Sequence, residues 1–379
     1  MLRRRRYVAP RRRHLATPVL FPALAAFLLV CCGRTPVGQK PSPVAAHGYT
    51  TVGNAILDST GAVRVFHGVN RPSLEWRVDG DHMSAADFQL MHDQWKSDIV
   101  RIPLNQDFWL QGAAQYDAGY RATVDQAVRW ALAAGLHVML DLHWSDKGNL
   151  RGAPAAQQRM PDANSVTFWK QVAAVYKNET HVFFDLYNEP HDVSWDVWLN
   201  GGTVPDYTPA GGKTDSAFTA AGMQQLYDAV RSTGAENLVL VGGLDWGYDL
   251  SGVPQHRIAG HNIVYSTHPY EWKSDWQARA FFLAASDPIF MGEFGAAKCA
   301  TKPYDDAIAL ADRNRVSWTA WAWWSGQPSQ ICGFPTILAD WNGTPSVMGA
   351  VVKAALARYL PSGLLPLSTP APSAGSAAH

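Results

Sequence analysis

Eight short apolar runs alternate with amphipathic segments between residues 48 and 360. Four of those segments, Ala85–Trp95, Tyr120–Ala134, Ser165–Tyr176 and Ala217–Thr233, are predicted helices. Such alternation predicts a parallel sheet with helices outside it, and eight units over about 310 residues fit a (β/α)₈ TIM barrel of the α/β class. The eight predicted strands are Val65–Val69, Ile99–Ile102, His137–Leu142, Val182–Tyr187, Leu238–Val241, Ile263–Ser266, Pro288–Met291 and Ser317–Trp323.

An open, doubly wound sheet would also alternate strands and helices. It seldom has eight units, and it usually carries a Gly-rich phosphate loop. The sequence contains neither GxGxxG nor GxxxxGK[ST], so the barrel is favoured. A hairpin over Thr50–Arg64, turning at Asp58–Gly61, is predicted ahead of the first barrel strand.

The two ends of the chain differ in composition from its body. Residues 1–32 combine seven Arg with the apolar stretch Pro18–Val30, which is too short to span a bilayer and predicts an export signal. Cys31 and Cys32 follow, so a cleaved signal and a lipid-anchored lipoprotein signal both stay open. Residues 33–47 predict a flexible linker, 48–360 a single domain and 361–379 a disordered tail.

The charge of the body argues against nucleic acid as a partner. The full chain has 32 Lys+Arg and 32 Asp+Glu; without residues 1–32, with their seven Arg, 25 basic residues face 32 acids, a difference of −7. Such a body is a poor nucleic-acid binder and suits a neutral ligand. Many of the 16 Trp fall in predicted loops, where flat side chains often form binding surfaces.

Two glutamates follow buried apolar runs. Glu189 lies between Asn188 and Pro190, and the proline should end the strand because it cannot continue the ladder. Glu293 ends a second run of the same kind. Two carboxylates at strand ends are the minimum equipment for hydrolysing a glycosidic bond.

Other polar and aromatic side chains also gather at the ends of the predicted strands. In a barrel, all eight ends surround one mouth, although each residue alone also has a structural explanation. In chain order they are Asn70, Arg71, Arg101, His143, Trp144, Asn188, Glu189, Asp245, Trp246, His268, Tyr270, Glu293, Trp321 and Trp323.

In this order and spacing, these residues resemble glycoside hydrolase family 5, the cellulase family among the retaining (β/α)₈ glycosidases. The resemblance covers residues 48–360. It implies that Glu189 is the catalytic acid/base and Glu293 the nucleophile. Trp323 and Trp324 compete with Trp321 for the last-strand position. The other implied active-site residues are Arg101, His143, Asn188, His268, Tyr270 and Trp321.

The chemistry accounts for these residue types. A retaining mechanism needs two carboxyl groups about 5–5.5 Å apart, one protonated and one ionised. Arg101 and Tyr270 are suited to donate hydrogen bonds to Glu293 and keep it charged. Asn188 is suited to bind the sugar 2-hydroxyl. His143 and His268 are suited to donate hydrogen bonds to sugar hydroxyls or to the carboxylates. Trp321 offers a flat face on which a sugar ring can stack. Three further tryptophans could extend that surface or simply pack in the fold: Trp144, Trp246 and Trp272.

Other classes of protein fit less well. Asp141 and His143 point to one face of a strand and, with His268, would suit a metal hydrolase, but there is no HExxH motif and no His-rich cluster. A serine hydrolase lacks its GxSxG motif. A non-catalytic sugar-binding barrel would lack one of the two glutamates. No metal or cofactor is therefore expected.

The expected substrate is a β-glycan, and endo-action on a β-1,4-glucan is the first prediction. β-Mannanase, other β-glucanase and glycolipid-cleaving activities are the alternatives. The corner Asn70–Ser73 and the insertion Asp192–Thr214 are expected to shape the groove. We expect a monomer that is secreted, periplasmic or held at the cell surface, touching a membrane only through a lipid anchor.

A disulfide bond is predicted between Cys299 and Cys332. They follow the seventh and eighth predicted strands, whose loops are neighbours in a barrel. Export makes oxidation the expected state, with two unpaired buried thiols as the alternative.

Overall fold

The computed structural model describes residues 48–145, 157–207, 213–326, 332 and 334–359. All of them belong to one compact unit, Pro43–His379. The predicted export signal, the linker and the C-terminal tail lie outside the described residues.

Eight parallel strands close into a barrel, as predicted. Around it, each barrel strand pairs with the next one along the chain, and the last, Ser317–Ala320, pairs with the first, His67–Asn70. All eight are almost entirely buried, because helices cover the outside and side chains fill the inside. The strands are β4 (His67–Asn70), β5 (Ile99–Asn105), β6 (His137–Trp144), β7 (Val182–Asp185), β10 (Val239–Gly242), β11 (Ile263–Thr267), β12 (Ile289–Met291) and β13 (Ser317–Ala320).

Three of the four predicted helices are confirmed. The first is a short α-helix continued by the π-helical turn Leu90–Gln94. Asp162 caps the third, Ala163–Tyr176, and its side chain accepts from the backbone N–H groups of Asn164 and Ser165. The α-helices are α1 (Ala85–Gln89), α2 (Gln106–Trp109), α3 (Tyr120–Ala133), α4 (Ala163–Tyr176), α5 (Trp195–Asn200), α6 (Met223–Arg231), α7 (Leu244–Gly247), α8 (Trp276–Arg279), α9 (Lys302–Asn314) and α10 (Val347–Leu356), with 3₁₀ turns at Val253–Gln255 and Phe281–Ala285.

The fourth helix prediction, Ala217–Thr233, is wrong in its first part. The helix α6 begins only at Met223, and Lys213–Ala221 forms strand β9, which pairs antiparallel with β8 (Gly201–Tyr207). Val204 lies opposite Phe218 in this hairpin, and Val204 is buried. The strand prevails because cross-strand pairing supplies contacts that an isolated helical turn would lack. The hairpin packs against α4 through β9.

The amino-terminal segment closes the opposite end of the barrel from the predicted site. The predicted hairpin is a three-stranded sheet, β1 (Thr50–Val52), β2 (Ala55–Leu57) and β3 (Val63–Arg64), with an extra turn at Gly53 in the left-handed region at φ 57°. The Tyr49 hydroxyl lies 2.6 Å from His137 Nε2. The Tyr49 ring packs edge-on against the Phe66 ring.

The predicted disulfide between Cys299 and Cys332 is confirmed, with Cα atoms 4.7 Å apart. It joins the loop after β12 to the loop after β13 at the carboxyl end of the barrel. Within the described residues, we find no helix that combines the length and the apolarity needed to cross a bilayer.

Candidate active site

Two glutamates meet at the carboxyl-terminal mouth of the barrel. Glu189 follows β7, and Glu293 follows β12. One carboxylate oxygen of each lies within 4.8 Å of the other and of His268 Nδ1. This separation is that of a retaining pair, about 5–5.5 Å, and is shorter than the roughly 6.5–9.5 Å of inverting enzymes.

Arg101 on β5 is the centre of the polar network beneath the two glutamates. It is fully buried, and its Nη1 donates to Glu293 Oε1 at 2.6 Å and to Asn70 Oδ1 at 3.0 Å. Its Nη2 donates to Asn188 Oδ1 at 2.9 Å. One guanidinium therefore sets the positions of a carboxylate and two amides, and its rigid fork suits that task.

Two further carboxylates share this guanidinium. Asp185 accepts from Arg101 Nε at 2.9 Å, and Asp141 lies 3.0 Å from Arg101 Nη2. Asp185 was not among the site residues predicted from the sequence. An acid closing the apolar stretch Val182–Phe184 was the available signal, because a charge buried inside a strand needs a partner.

Tyr270 completes the environment of Glu293. Its hydroxyl donates to Glu293 Oε2 at 2.7 Å, while Arg101 donates to the other oxygen. Both carboxylate oxygens therefore accept a hydrogen bond, which fixes the orientation of the carboxylate. The ring of Trp272 stacks on that of Tyr270, with centroids 4.6 Å apart, and Trp272 is mostly exposed to solvent.

Glu189 lies in a different environment. Its carboxylate contacts His268 Nδ1 at 3.1 Å. Burial raises the pKa of Glu189 to about 7, against the lowering effects of His143, Arg101 and Lys273. Glu189 therefore retains its proton up to near-neutral pH, as a general acid must.

Both histidines of the site are neutral at working pH. Burial lowers the pKa of His143 to about 4, and that of His268 also to about 4. His143 Nδ1 lies 2.6 Å from Asp141 Oδ2. This contact fixes the orientation of the His143 ring and turns its Nε2 towards Asn188, 3.5 Å away.

The amide of Asn188 is held at both ends. Its oxygen accepts from Arg101, and its nitrogen donates to Gln157 Oε1 at 2.9 Å. The same nitrogen lies 3.5 Å from His143 Nε2. Gln157 was missed by the sequence analysis, because it lies in a polar stretch without a motif or a neighbouring apolar run.

The structure separates the three tryptophans that compete at the eighth strand. Trp321 stacks on His143, with ring centroids 5.4 Å apart, and so faces the mouth. Trp323 is fully buried and donates from its indole to Asp87 at 2.6 Å, which makes it a packing residue. Trp324 packs edge-on against Trp76.

Aromatic side chains extend away from the glutamates. One chain of rings runs from Trp144 to Trp76, then to Trp324 and Trp341, with centroid separations of 6.4, 5.2 and 5.1 Å. Elsewhere, the half-exposed Trp246 stacks on the His191 ring, 3.5 Å away. Trp246 lies beside the loop that carries Glu189, since its backbone N–H donates to the Pro190 carbonyl at 3.1 Å.

The described residues contain one cluster of three side chains with metal-ligating geometry, and it consists of Glu189, His268 and Glu293 themselves. The metal-hydrolase alternative had named Asp141 and His143 with His268. Asp141 lies instead against Arg101, 3.0 Å from its Nη2.

A closed (β/α)₈ barrel with two glutamates facing each other across its carboxyl-terminal mouth defines the class of retaining glycosidases. The cellulase family model, glycosyl hydrolase family 5, matches residues 57–327. The chain therefore belongs to glycosyl hydrolase family 5.

Curated relatives are distant. Endoglucanase MaCel5A of Microbulbifer sp. (strain ALW1) is 24% identical over 301 residues, which cover 74% of this chain and 52% of the relative. An endoglucanase of Paenibacillus polymyxa is 24% identical over 366 residues, covering 82% and 87%. The chain thus spans about half the length of the first relative and most of the second.

Solved structures share the fold. The β-glucanase SdGluc5_26A from Saccharophagus degradans has a TM-score of 0.64 and 21% identity, with 86% of this chain and 98% of that chain covered. It has also been solved in complex with cellotetraose. The catalytic domain of Thermobifida fusca endoglucanase Cel5A has a TM-score of 0.61 and 18% identity, covering 83% and 99%.

Proposed function

We propose that this protein is a retaining endo-β-1,4-glucanase in which Glu293 is the nucleophile and Glu189 the acid/base. The observation that carries the proposal is the contrast between the two carboxyls. Glu293 has hydrogen bonds on both oxygens, from Arg101 and Tyr270. Burial raises the pKa of Glu189 to about 7. Retention requires this division between an ionised and a protonated carboxyl.

In the first step, a Glu293 carboxylate oxygen attacks the anomeric carbon and the bond to the leaving oxygen breaks. That oxygen takes the proton of Glu189, which becomes a carboxylate. In the second step, the Glu189 carboxylate removes a proton from water as the water oxygen displaces Glu293 from the anomeric carbon. Both carboxyls return to their starting states, and two displacements restore the β-configuration.

The neighbouring residues act on the positions of these groups. Arg101 and Tyr270 hold the attacking carboxylate in place, so that little reorganisation is needed during the reaction. Asn188 presents an N–H group for the sugar 2-hydroxyl, a contact that strengthens in the transition state. Trp321, backed by the neutral His143 ring, offers an apolar face for a pyranose ring.

The extended aromatic surfaces support endo-action on a glucan. The rings of Trp144, Trp76, Trp324 and Trp341 form a continuous chain longer than a single sugar needs. The two curated relatives reported above carry the name endoglucanase. The predicted export signal supports secretion, either as a free or as a lipid-anchored protein, which cell fractionation would test. A monomer is also proposed, and light scattering of the purified protein would test it.

The deciding experiment measures activity on cellulose derivatives, mannan, xylan and laminarin. We expect cellulose derivatives to be preferred, and their viscosity to fall early relative to the release of reducing ends, as internal cleavage requires. Glu189→Gln and Glu293→Gln serve as matched inactive controls, and a chelator should change nothing. Preferred cleavage of mannan or xylan would replace the glucanase assignment, and inactivity on every β-glycan would refute the proposal.

A further inference from the structure

Gln157 touches both residues of the Asn188-Glu189 pair. Its Nε2 donates to the backbone carbonyl of Glu189, and its Oε1 accepts from Asn188 Nδ2 at 2.9 Å. Because a carbonyl only accepts and a side-chain amide nitrogen only donates, these two contacts fix the orientation of the Gln157 amide. One side chain therefore links a side chain and a backbone atom of the motif that carries the acid/base.

This link also fixes the orientation of the Asn188 amide. A guanidinium can only donate, so Arg101 requires an oxygen where it meets Asn188 Oδ1 at 2.9 Å. Gln157 Oε1 can only accept, and so requires the nitrogen at the other end. Without Gln157, that nitrogen would keep only the long, 3.5 Å approach to His143 Nε2. The amide plane would then pivot about its single bond to Arg101.

One hydrogen of the Asn188 amide remains for a ligand. Nδ2 carries two, and Gln157 takes one of them. The other is on the side of His143 Nε2, and the 3.5 Å between Asn188 Nδ2 and this atom is longer than a good hydrogen bond. A sugar hydroxyl at this point would receive a donor whose direction Gln157 and Arg101 have already set.

The backbone next to Gln157 is fixed by hydrogen bonds. The next residue, Gln158, donates its backbone N–H to Ser145 Oγ at 3.3 Å, and its carbonyl accepts from the Tyr187 hydroxyl at 2.7 Å. Ser145 Oγ and the Tyr187 hydroxyl are themselves 2.6 Å apart. Gln157 is thus placed by hydrogen bonds between its neighbour and residues that follow two barrel strands, as a positioning residue must be.

We propose that Gln157 is a positioning residue that aims the Asn188 amide at the 2-hydroxyl of the sugar whose bond is cleaved. This inference rests on the proposed function. It goes beyond the resemblance to known motifs, because Gln157 lies outside all of them. Since the 2-hydroxyl contact strengthens in the transition state, Gln157 should affect kcat more than KM.

The test compares an aryl β-cellobioside with its analogue that lacks the 2-hydroxyl on the reacting sugar. We expect Gln157→Ala to lower kcat for the complete substrate about tenfold, with KM nearly unchanged, as loss of one well-placed hydrogen bond predicts. For the 2-deoxy analogue, the loss should be under about twofold, because the contact is already missing. Gln158→Ala is the matched neighbour, which keeps its backbone contacts and should be unaffected with both substrates.

A double-mutant cycle provides an independent measurement. In an Asn188→Ala background, Gln157→Ala should cost nothing more, since the group that it aims is gone. Equal losses on both substrates, full additivity with Asn188→Ala, or no loss at all would overturn the inference. These outcomes are distinct from failure of the proposed function, in which the unmodified protein itself would not cleave the cellobioside.

Discussion

The raised pKa of Glu189 predicts how the rate depends on pH and on the leaving group. Burial raises that pKa to about 7. Above this value, the carboxyl ionises and can no longer donate a proton. The protonated fraction is about one tenth at pH 8 and about one hundredth at pH 9, so kcat/KM for a phenyl β-glycoside should fall about tenfold per pH unit above 7.

A dinitrophenyl β-glycoside should escape this fall. Dinitrophenolate departs without a proton, so the first step no longer needs Glu189 as an acid. The profile of kcat/KM should then stay flat through pH 7–9, where the phenyl substrate loses about two orders of magnitude. The assay follows phenol and dinitrophenol release by absorbance at substrate concentrations well below KM, on the same enzyme preparation and buffers.

Other buried acids near the site provide the alternative explanation. Burial raises the pKa of Asp141 to about 7 and that of Glu75 to about 8. Their ionisation would change the site for both substrates alike, because neither donates to the leaving oxygen. The same alkaline fall with both leaving groups would therefore refute the assignment of the alkaline limb to Glu189. A shift of that limb in Glu75→Gln would identify Glu75 as its source.

Three further predictions follow from other groups. With a dinitrophenyl substrate, Glu189→Ala should be activated by azide and should yield the β-glycosyl azide from the intermediate on Glu293, whereas Glu293→Ala should give only the α-glycosyl azide. NMR assigns the anomers, and the reverse result would mean that the two roles are exchanged. The Cys299–Cys332 bond closes a loop of 33 residues. Replacing both cysteines by Ser should therefore lower the free energy of unfolding by roughly 3–4 kcal/mol. Denaturant titration measures this, and an unchanged midpoint would contradict it. Burial raises the pKa of Glu75 to about 8, so the folded state keeps a proton that the unfolded chain releases, and the free energy of unfolding should fall as the pH rises from about 4.5 to about 8. Glu75→Gln should remove on the order of 5 kcal/mol of that pH dependence, and equal slopes for both proteins would exclude Glu75 as the cause.

The sequence alone was sufficient to predict the barrel and most of the residues at its carboxyl-terminal mouth. Strands buried on both faces appear as short, continuous apolar runs, and eight of them in alternation with helices leave few other topologies. Once the strands are parallel, their carboxyl ends meet at one mouth. Residues far apart in sequence, such as Arg101 and Glu293, are therefore expected at one site without any knowledge of their contacts.

Tertiary structure decided the features that depend on contacts between distant segments. Residues 217–221 carry no pattern strong enough to exclude a helix, and only pairing with β8 makes them a strand. Trp321 and Trp323 differ by two positions, yet one faces the mouth and the other donates to Asp87 in the core. Hydrophobic pattern marks both simply as large and apolar.

The same reason explains the site residues that the sequence did not reveal. Asp185 and Gln157 belong to the site because Arg101 and Asn188 reach them across the barrel end. The buried position of Asp185 in a strand indicates that it needs a partner but not which one, and the neighbours of Gln157 give no indication at all, since a hydrogen bond depends on distance and direction in space. The sequence determines which groups lie at the mouth, while the closed barrel decides which of them are in contact, and how deeply each carboxyl is buried.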